Sequence, residues 1–213
     1  MDLNEMRVHY ASELFDMEHC IEDPILQFNL WFGEAVNAKV IEPNALILAT
    51  VDSNAKPSAR VVLLKDVDAD GFVFYTNYQS KKAEELALNP NVALVFNWLE
   101  LIRQVRIEGS VEKVSSERSE AYFQSRPLGS QIGAWASPQS KKVSSREELE
   151  SLELEITKKF HDKEVLPKPP HWGGYKVKPS YIEFWQGRPN RLHDRIAYEL
   201  NETGNWTRVR LAP

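Results

Sequence analysis

The stretch from residue 45 to residue 114 constrains the fold more than any other, because it consists of strand-like runs joined by short turns and one short helix. These runs cover residues 45–51, 58–66, 72–77, 92–97 and 101–114. The turn-forming sequences Asp52-Ser53-Asn54-Ala55 and Asp68-Ala69-Asp70-Gly71 separate the first three. Five successive strands with short connections predict a mainly β fold built around an antiparallel barrel.

Helical patterns flank these strands. Asp23-Pro24 is typical of an N-cap and a first-turn proline, and apolar residues then recur at helical spacing to about residue 38. Ser80 can cap a short helix that Asn89-Pro90 ends. Ser144 and Ser145 precede Glu147 and Glu148 as a capping box, followed by an apolar stripe of Leu149, Leu152, Ile156 and Phe160. We also predict a helix at 115–124, a turn-rich link at 125–133, and strands at 172–177, 181–185, 191–199 and 206–211.

The length and composition are those of one soluble globular domain. We expect residues 1–22 to be a mobile N-terminal arm and residues 23–213 to form a single domain. A net charge of −5 argues against a nucleic-acid footprint. The single cysteine, Cys20, excludes an internal disulfide and fits a reducing compartment. Without a signal-peptide pattern or a membrane-length apolar run, we expect a cytoplasmic protein.

Several common catalytic motifs are absent from the sequence. It contains no Gly-x-Gly-x-x-Gly pattern, no P-loop and no Gly-x-Ser-x-Gly nucleophile elbow. Its five histidines show no metal-ligand spacing with Cys, Asp or Glu, so we expect no metal site. Any difficult chemistry must therefore come from a bound organic cofactor.

Local clusters of cations point to an anionic ligand. Arg191, His193 and Arg195 are spaced by two, and an extended strand would direct all three to one face. Such a row suits a phosphate ester, although a solvated edge strand is the alternative. Lys81 and Lys82 begin a helix whose dipole opposes them unless an anion binds there.

The strand that follows the first predicted turn raises a geometric question. Arg60 and Lys65 have opposite parity in a regular strand. If both serve one site, the strand must bend or the ligand must wrap around its end.

Motifs spread over most of the chain resemble the pyridoxamine 5′-phosphate oxidase family. The similarity covers nearly everything from residue 23 to residue 213. The motifs are Ile182-Glu183-Phe184-Trp185-Gln186 with Arg191-Leu192-His193-Asp194-Arg195, Arg60-Val61-Val62-Leu63-Leu64-Lys65, Phe74-Tyr75-Thr76-Asn77, Ser80-Lys81-Lys82, Arg103-Gln104-Val105, Tyr122-Phe123, Ser125-Arg126-Pro127, Ser130-Gln131-Ile132-Gly133-Ala134-Trp135, Gln139-Ser140 and the terminal Arg210-Leu211-Ala212-Pro213.

The resemblance implies a split β-barrel with antiparallel, Greek-key-like strands, forming a homodimer with FMN at the subunit interface. It implies that FMN is held by Arg60, Val61, Val62, Leu63, Leu64, Lys65, Tyr75, Thr76, Lys81, Lys82, Gln104, Gln139, Ser140, Trp185 and Arg195. It implies that the substrate is bound by Lys65, Tyr122, Arg126, Ser130, Arg191, Leu192 and His193, with Arg191 and His193 as the catalytic pair. Arg60 and Lys65 would then hold different phosphates.

The activity implied is the FMN-dependent oxidation of pyridoxamine or pyridoxine 5′-phosphate to pyridoxal 5′-phosphate, with O2 as the electron acceptor. Arg7 and Tyr10 match an N-terminal segment that closes over the site, but residues 11–20 depart from the usual Gly- and Arg-rich pattern. Two alternatives are open at this point. One is another FMN split-barrel oxidoreductase, such as a flavin reductase, and the other is a non-catalytic flavin- or pyridoxal-phosphate-binding protein.

Overall fold

The computed structural model describes residues 14–213, and their strands form one nine-stranded antiparallel sheet that curls into a split barrel. The strand order is β2-β1-β5-β6-β7-β4-β3, with β8 beside β7 and β9 beside β8. The strands are β1 Ala45–Val51, β2 Pro57–Leu63, β3 Asp66–Asp68, β4 Gly71–Asn77, β5 Asn91–Trp98, β6 Arg103–Lys113, β7 Trp172–Gln186, β8 Asp194–Leu200 and β9 Trp206–Arg210. The predicted antiparallel barrel is confirmed.

Within residues 14–213, five α-helices flank the sheet. They are α1 Pro24–Asn37, α2 Lys81–Leu88, α3 Ser116–Ser125, α4 Leu128–Ala136 and α5 Arg146–Lys159. As predicted, Asp23 caps α1, since its carboxylate accepts from the N–H groups of Ile25 and Leu26. Among the helices of residues 14–213, none combines the length and apolar composition that crossing a membrane requires.

The predicted turn-rich link at 125–133 is wrong, because most of it belongs to helix α4. Gly129 and Gly133 lower the helix propensity of this stretch and conceal the helix in the sequence. Packing against α5 supplies the missing stability, as the two helices make extensive contact. The predicted apolar stripe of α5 is present but only half-buried, so α5 lies on the outer surface.

Strand β7 is the longest element of the sheet and joins its two halves. The sequence predicts two strands here, but Pro179 and Ser180 are accommodated by a bulge opposite Glu108 and Gly109. A side chain at Gly109 would lie 2.1 Å from the Lys178 carbonyl oxygen, so only glycine fits this close approach. The first half of β7 pairs with β4 and the second half with β8.

The main core lies between α1 and the inner face of the sheet. Phe28 is fully buried, and its ring contacts those of Phe72 and Phe96 at centroid distances of 4.9 and 5.0 Å. The packed core begins before the expected domain start at residue 23. Phe15 and Cys20 are both buried in this core, and the Phe15 ring lies 4.8 Å from that of Trp31. The described part of the expected arm therefore belongs to the fold.

Candidate active site

A cavity of about 480 Å³ opens where β2 and β4 end and where helices α2 and α4 begin. Twelve of its fourteen lining residues are ones that the family resemblance assigns to the cofactor or the substrate. The full lining is Arg60, Val61, Val62, Leu63, Lys65, Tyr75, Thr76, Lys82, Tyr122, Arg126, Pro127, Ser130, Gln139 and Trp172. The structure thus brings together residues that are up to 112 positions apart in the chain, from Arg60 to Trp172.

One end of the cavity is formed by the start of helix α2. The Lys82 Nζ atom donates to Thr76 Oγ1 at 3.0 Å and to Gln139 Oε1 at 2.8 Å. Burial, together with repulsion from Arg60, lowers the pKa of Lys82 to about 8. The N-cap residue Ser80 makes no side-chain capping bond and donates instead to the Asn77 carbonyl. An anion at this end would meet both the helix dipole and the lysine.

The Arg60 guanidinium lies beside Lys82 and is held by a buried polar network. Its Nη1 atom donates to the Leu48 carbonyl at 3.2 Å and to Thr50 Oγ1 at 2.5 Å. Its Nη2 atom donates to Ser58 Oγ at 2.6 Å and to Glu85 Oε2 at 3.1 Å. The Glu85 side chain is buried, and the hydrogen bonds that it accepts outweigh its burial and lower its pKa. This carboxylate therefore remains ionised beside the cations.

A second end of the cavity is formed by Arg126 and the start of α4. The Arg126 guanidinium lies over the Trp172 ring, with its Cζ atom 4.8 Å from the ring centroid. Arg126 Nη1 is buried and has no hydrogen-bond partner among the residues described. Burial also lowers the pKa of Arg126. A buried donor without an acceptor leaves a place for a further hydrogen-bond partner, and an anionic group would satisfy it.

The neighbours of Arg126 complete this end. Pro127, the N-cap residue of α4, has no side-chain oxygen with which to cap the helix, and Ser130 lies in the first turn. The rings of Tyr122 and Tyr75 stack at a centroid distance of 4.0 Å, and Trp172 stacks on Tyr75 at 5.4 Å. This apolar wall would support a flat ring held by its phosphate at the helix start.

Lys65 reaches the same cavity as Arg60 because the strand ends between them. Strand β2 stops at Leu63, and the backbone N–H of Lys65 then bonds to Val73 on β4. The end of β2 between the two residues thus allows both to line one cavity despite their opposite parity. The Leu64 side chain is buried in the core and does not line the cavity. Lys81 and Ser140 are also absent from the lining, and Lys81 is exposed and pairs with Glu85 at 3.7 Å.

The remaining predicted cofactor residues, Gln104, Trp185 and Arg195, lie side by side on β6, β7 and β8. Together with Arg191 and His193 they form the C-terminal group. Gln104 on β6 is directly opposite Trp185 on β7, which is directly opposite Arg195 on β8. The Arg195 Nε atom donates to Glu183 Oε1 at 2.7 Å, and this buried carboxylate also accepts from Arg106. Despite its burial, these bonds lower the pKa of Glu183.

The predicted same-face row of Arg191, His193 and Arg195 is not formed. Arg191 lies in a 3-10 turn, Pro189–Arg191, with a left-handed φ of 61°, and β8 begins only at Asp194. The Pro189 ring and the left-handed φ of 57° at Asn190 start the turn and delay the strand. Arg191 and Leu192 precede the strand and are exposed. Of the three residues in the predicted row, only Arg195 lies within a regular strand.

His193 packs against the Trp185 ring, with the two ring centroids 4.6 Å apart. Its Nδ1 atom accepts from the Arg188 backbone N–H at 3.1 Å, so in the neutral imidazole the proton lies on Nε2. Burial, together with the nearby Arg191 charge, lowers the pKa of His193. The neutral form with an Nε2 donor is therefore favoured near pH 7.

The cavity and the C-terminal group lie at opposite ends of β7. Trp172 lines the cavity and Trp185 belongs to the C-terminal group. At roughly 3.3 Å per residue, the strand between them has a contour length of about 40 Å. Arg7 and Tyr10 lie outside the described residues. Within those residues, no group of three or more His, Cys, Asp or Glu side chains is placed to hold a metal ion.

Sequence models of known protein families match both the N-terminal and the C-terminal part of the chain. Residues 32–158 match the sequence model of pyridoxamine 5′-phosphate oxidase, and residues 172–213 match that of the pyridoxine 5′-phosphate oxidase C-terminal dimerisation region. The chain belongs to the pyridoxamine 5′-phosphate oxidase family. The pyridoxine/pyridoxamine 5′-phosphate oxidase of Cupriavidus metallidurans is 54% identical over 211 residues, 99% of each chain. That of Ralstonia pickettii is 54% identical over 209 residues, 98% of each chain.

Solved structures show the same fold. PhzG from Burkholderia lata, in complex with tetrahydrophenazine-1-carboxylic acid, is 28% identical and superposes with a TM-score of 0.88 over 95% of this chain and 99% of that one. A pyridoxamine 5′-phosphate oxidase-related, FMN binding protein from Nostoc punctiforme is 17% identical, with a TM-score of 0.69 over 87% and 97% of the two chains.

Several residues that support the cavity or the C-terminal group are not evident from the sequence. Trp172 follows a proline-rich link, and nothing local marks it as a ring that supports Arg126. Glu85 is one of two adjacent glutamates in α2, and only the fold distinguishes it from the exposed Glu84. Glu183 lies inside the family motif, so its position two residues before Trp185 is a signal that could have been read as a partner for Arg195.

Proposed function

We propose that this chain is an FMN-dependent oxidase that converts pyridoxamine or pyridoxine 5′-phosphate into pyridoxal 5′-phosphate. For the amine, one substrate molecule, O2 and water would give the aldehyde, ammonia and hydrogen peroxide. For the alcohol, the substrate and O2 would give the aldehyde and hydrogen peroxide. Bound FMN would accept a hydride from the 4′ carbon and pass both electrons to O2.

The single observation that carries this proposal is that one cavity has two separate ends, each with a cationic side chain near the start of a helix. Arg60 and Lys82 lie at the start of α2, whereas Arg126 and Ser130 lie at the start of α4. Neither helix has a side-chain cap, and Arg126 has a buried donor without a partner in the described chain. Two phosphate esters, one from the cofactor and one from the substrate, satisfy this arrangement.

The cavity residues then divide by position. Arg60, Lys82, Thr76 and Gln139 would hold the FMN phosphate, and the backbone of 61–65 would lie along the flavin. Lys65, Tyr122, Arg126 and Ser130 would hold the substrate phosphate. The pyridine ring would lie near the stacked Tyr75 and Tyr122, which would shield one side of it from water.

A homodimer would bring the C-terminal group to the cavity. Within one chain, Trp185 and Arg195 are separated from the cavity by most of β7. A two-fold axis would place the C-terminal group of each protomer against the cavity of its partner. The dimer would then contain two equivalent complete sites. The match of residues 172–213 to the family's dimerisation region supports this assembly.

Arg191 and His193 would orient the reacting carbon. Arg191 is exposed on its turn and can approach the substrate, while the neutral His193 offers its Nε2 proton as a donor. Holding the 4′ substituent near its attack geometry is the main contribution expected of these two residues. Arg195, fixed by Glu183, would contact the flavin instead.

The visible spectrum of the purified protein, followed by anaerobic addition of pyridoxamine 5′-phosphate, tests this proposal. An oxidase should show a flavin band that bleaches on addition of the substrate and recovers with O2, as aldehyde accumulates. A flavin band that bleaches only with a reduced nicotinamide would indicate a flavin reductase. A flavin band that neither compound bleaches would indicate a binding protein, and a protein that cannot be loaded with FMN would refute the flavin assignment.

A further inference from the structure

The carboxylate of Glu85 is the most deeply buried charge at the α2 end of the cavity. The residue is 4% exposed and lies on α2, behind the cations that line the cavity. Its Oε2 atom accepts from Thr50 Oγ1 at 2.5 Å and from Ser58 Oγ at 2.8 Å, in addition to Arg60 Nη2 at 3.1 Å. Burying a charged group costs free energy unless the group is paired and fully hydrogen-bonded, and the Glu85 carboxylate meets both conditions.

Both terminal nitrogens of Arg60 donate their hydrogen bonds to other protein groups. Nη1 donates to Leu48 and Thr50, and Nη2 donates to Ser58 and Glu85. These four bonds use the four terminal N–H groups, so the Nε–H and the charge of the guanidinium are left for a ligand in the cavity that Arg60 lines. Arg60 is therefore presented in a fixed orientation before any anion arrives, which reduces the entropy lost on binding.

We propose that Glu85 is a positioning residue for the phosphate of the cofactor: its buried carboxylate fixes the Arg60 guanidinium and balances the adjacent positive charges of Arg60 and Lys82. An arriving phosphate then meets an ordered pair of cations. The proposal rests on the proposed function only for the identity of the phosphate ligand. Glu85 itself touches no ligand, because the residues that line the cavity do not include it.

The charge of Glu85 also acts on Lys82. Burial and Arg60 lower the pKa of Lys82 to about 8, and Glu85 opposes this shift. Thr76 and Gln139, its hydrogen-bond partners from β4 and from the segment after α4, are neutral. The other ionisable residues near this lysine or around the cavity are Lys81, Lys65, Tyr75, Tyr122 and Arg126. Removing the Glu85 charge should lower the pKa of Lys82 further, so that Lys82 loses its proton at a lower pH.

The test measures the affinity of the full-length apoprotein for FMN by quenching of flavin fluorescence between pH 6 and 9.5. In the wild type, the affinity should decline above about pH 8, where Lys82 deprotonates. In Glu85→Gln the amide can still bond Arg60, Thr50 and Ser58, so its affinity at pH 6 should be within about threefold of wild type, but its decline should begin at a lower pH. Glu85→Ala should bind FMN about tenfold more weakly at pH 7, since Arg60 is no longer held.

Glu84→Gln is the matched control, because Glu84 is the neighbouring residue on α2 and its exposed side chain pairs with Lys141. Its pH profile should coincide with that of wild type. Profiles of Glu85→Gln and wild type that decline at the same pH would overturn the proposal, as would unchanged affinity in Glu85→Ala. If Glu85→Ala does not fold, the comparison of Glu85→Gln with Glu84→Gln decides the question alone.

A parallel titration with inorganic phosphate, followed by calorimetry, separates this proposal from the proposed function. Failure of the wild type to bind FMN, with phosphate binding that still depends on Glu85, would refute the flavin assignment and support the role of Glu85. Normal FMN and phosphate binding with no effect of either Glu85 variant would refute the role of Glu85 alone. Failure to bind either probe would refute both.

Discussion

Replacing Arg126 with methionine should stabilise the ligand-free protein while weakening its affinity for the substrate. Arg126 has a buried Nη1 donor with no hydrogen-bond partner among residues 14–213, and its guanidinium lies 4.8 Å from the Trp172 ring centroid. Buried donors without a partner are uncommon in native proteins, and an anionic ligand would satisfy this one. The combination indicates a group that is held ready for a ligand.

The expected magnitude follows from three contributions. Leaving a buried N–H without a partner costs about 1–3 kcal/mol, and the arginine–tryptophan contact returns about 0.5–2 kcal/mol. Methionine retains apolar contact with the Trp172 ring. Arg126→Met should therefore raise the free energy of unfolding of the apoprotein by about 1 kcal/mol, or Tm by about 2–4 °C for a chain of this size. Losing charged hydrogen bonds to the substrate phosphate should cost about 1.5–3 kcal/mol, or about 10- to 150-fold in kcat/KM.

Thermal unfolding of the apoprotein and steady-state kinetics with pyridoxine 5′-phosphate measure the two effects. Arg118→Met provides the matched control for stability, since Arg118 lies on α3, the helix whose C-cap is Arg126, but pairs with Asp66 and Asp68. That variant should lower Tm. If Arg126→Met lowers Tm in the same way and leaves kcat/KM unchanged, Arg126 is a structural arginine and the assignment of the second phosphate end is wrong.

Three further predictions concern the C-terminal group. Arg191→Met should lower turnover and substrate affinity while FMN stays bound, and unchanged kinetics on pyridoxine 5′-phosphate would exclude the proposed role of Arg191. Because burial and Arg191 lower the pKa of His193 below its ordinary value of 6.5, turnover should fall only when His193 is protonated below that pH; His193→Gln should lack this acid limb, and a limb that persists would have another origin. Co-expressed Lys82→Met and Arg195→Met chains should form mixed dimers that bind one FMN each, although either variant alone binds little. Mixed dimers that contain no FMN would contradict a shared site.

Local sequence predicts the strands and helix starts of this protein well because those features depend on near neighbours. Strand β1 begins and ends at the predicted residues, 45 and 51, since its apolar run and the following Asp52 turn are sufficient signals. The cap of α1 by Asp23 and the Ser145 bond at the start of α5 follow from side chains within three residues. Most of the residues that line the cavity are predictable for a different reason, because they belong to motifs that resemble those of the family.

The errors arise where distant residues determine the local conformation. Pro179 predicts a break in β7, but Gly109 on the neighbouring strand leaves room for a bulge and the strand continues. The two glycines of α4 favour a turn, and packing on α5 overrides them. The role of Glu85 depends on Thr50 and Ser58, which lie on strands 27 or more positions away. No pattern within one segment contains that information.

The end of the 3-10 turn explains why three closely spaced residues should have different roles. Arg195 lies inside β8, where Glu183 holds its side chain from the adjacent strand, so it is suited to a cofactor that stays in place. Arg191 lies before the strand with a left-handed φ, a conformation that costs about 1–2 kcal/mol for an ordinary residue and is often found at functional sites. Its exposed side chain can adjust to a ligand that enters and leaves at every turnover. His193 lies between them, and its Nδ1 bond to Arg188 joins the ring to the start of the turn. The transition from turn to strand therefore separates proposed substrate contacts from proposed cofactor contacts within five residues.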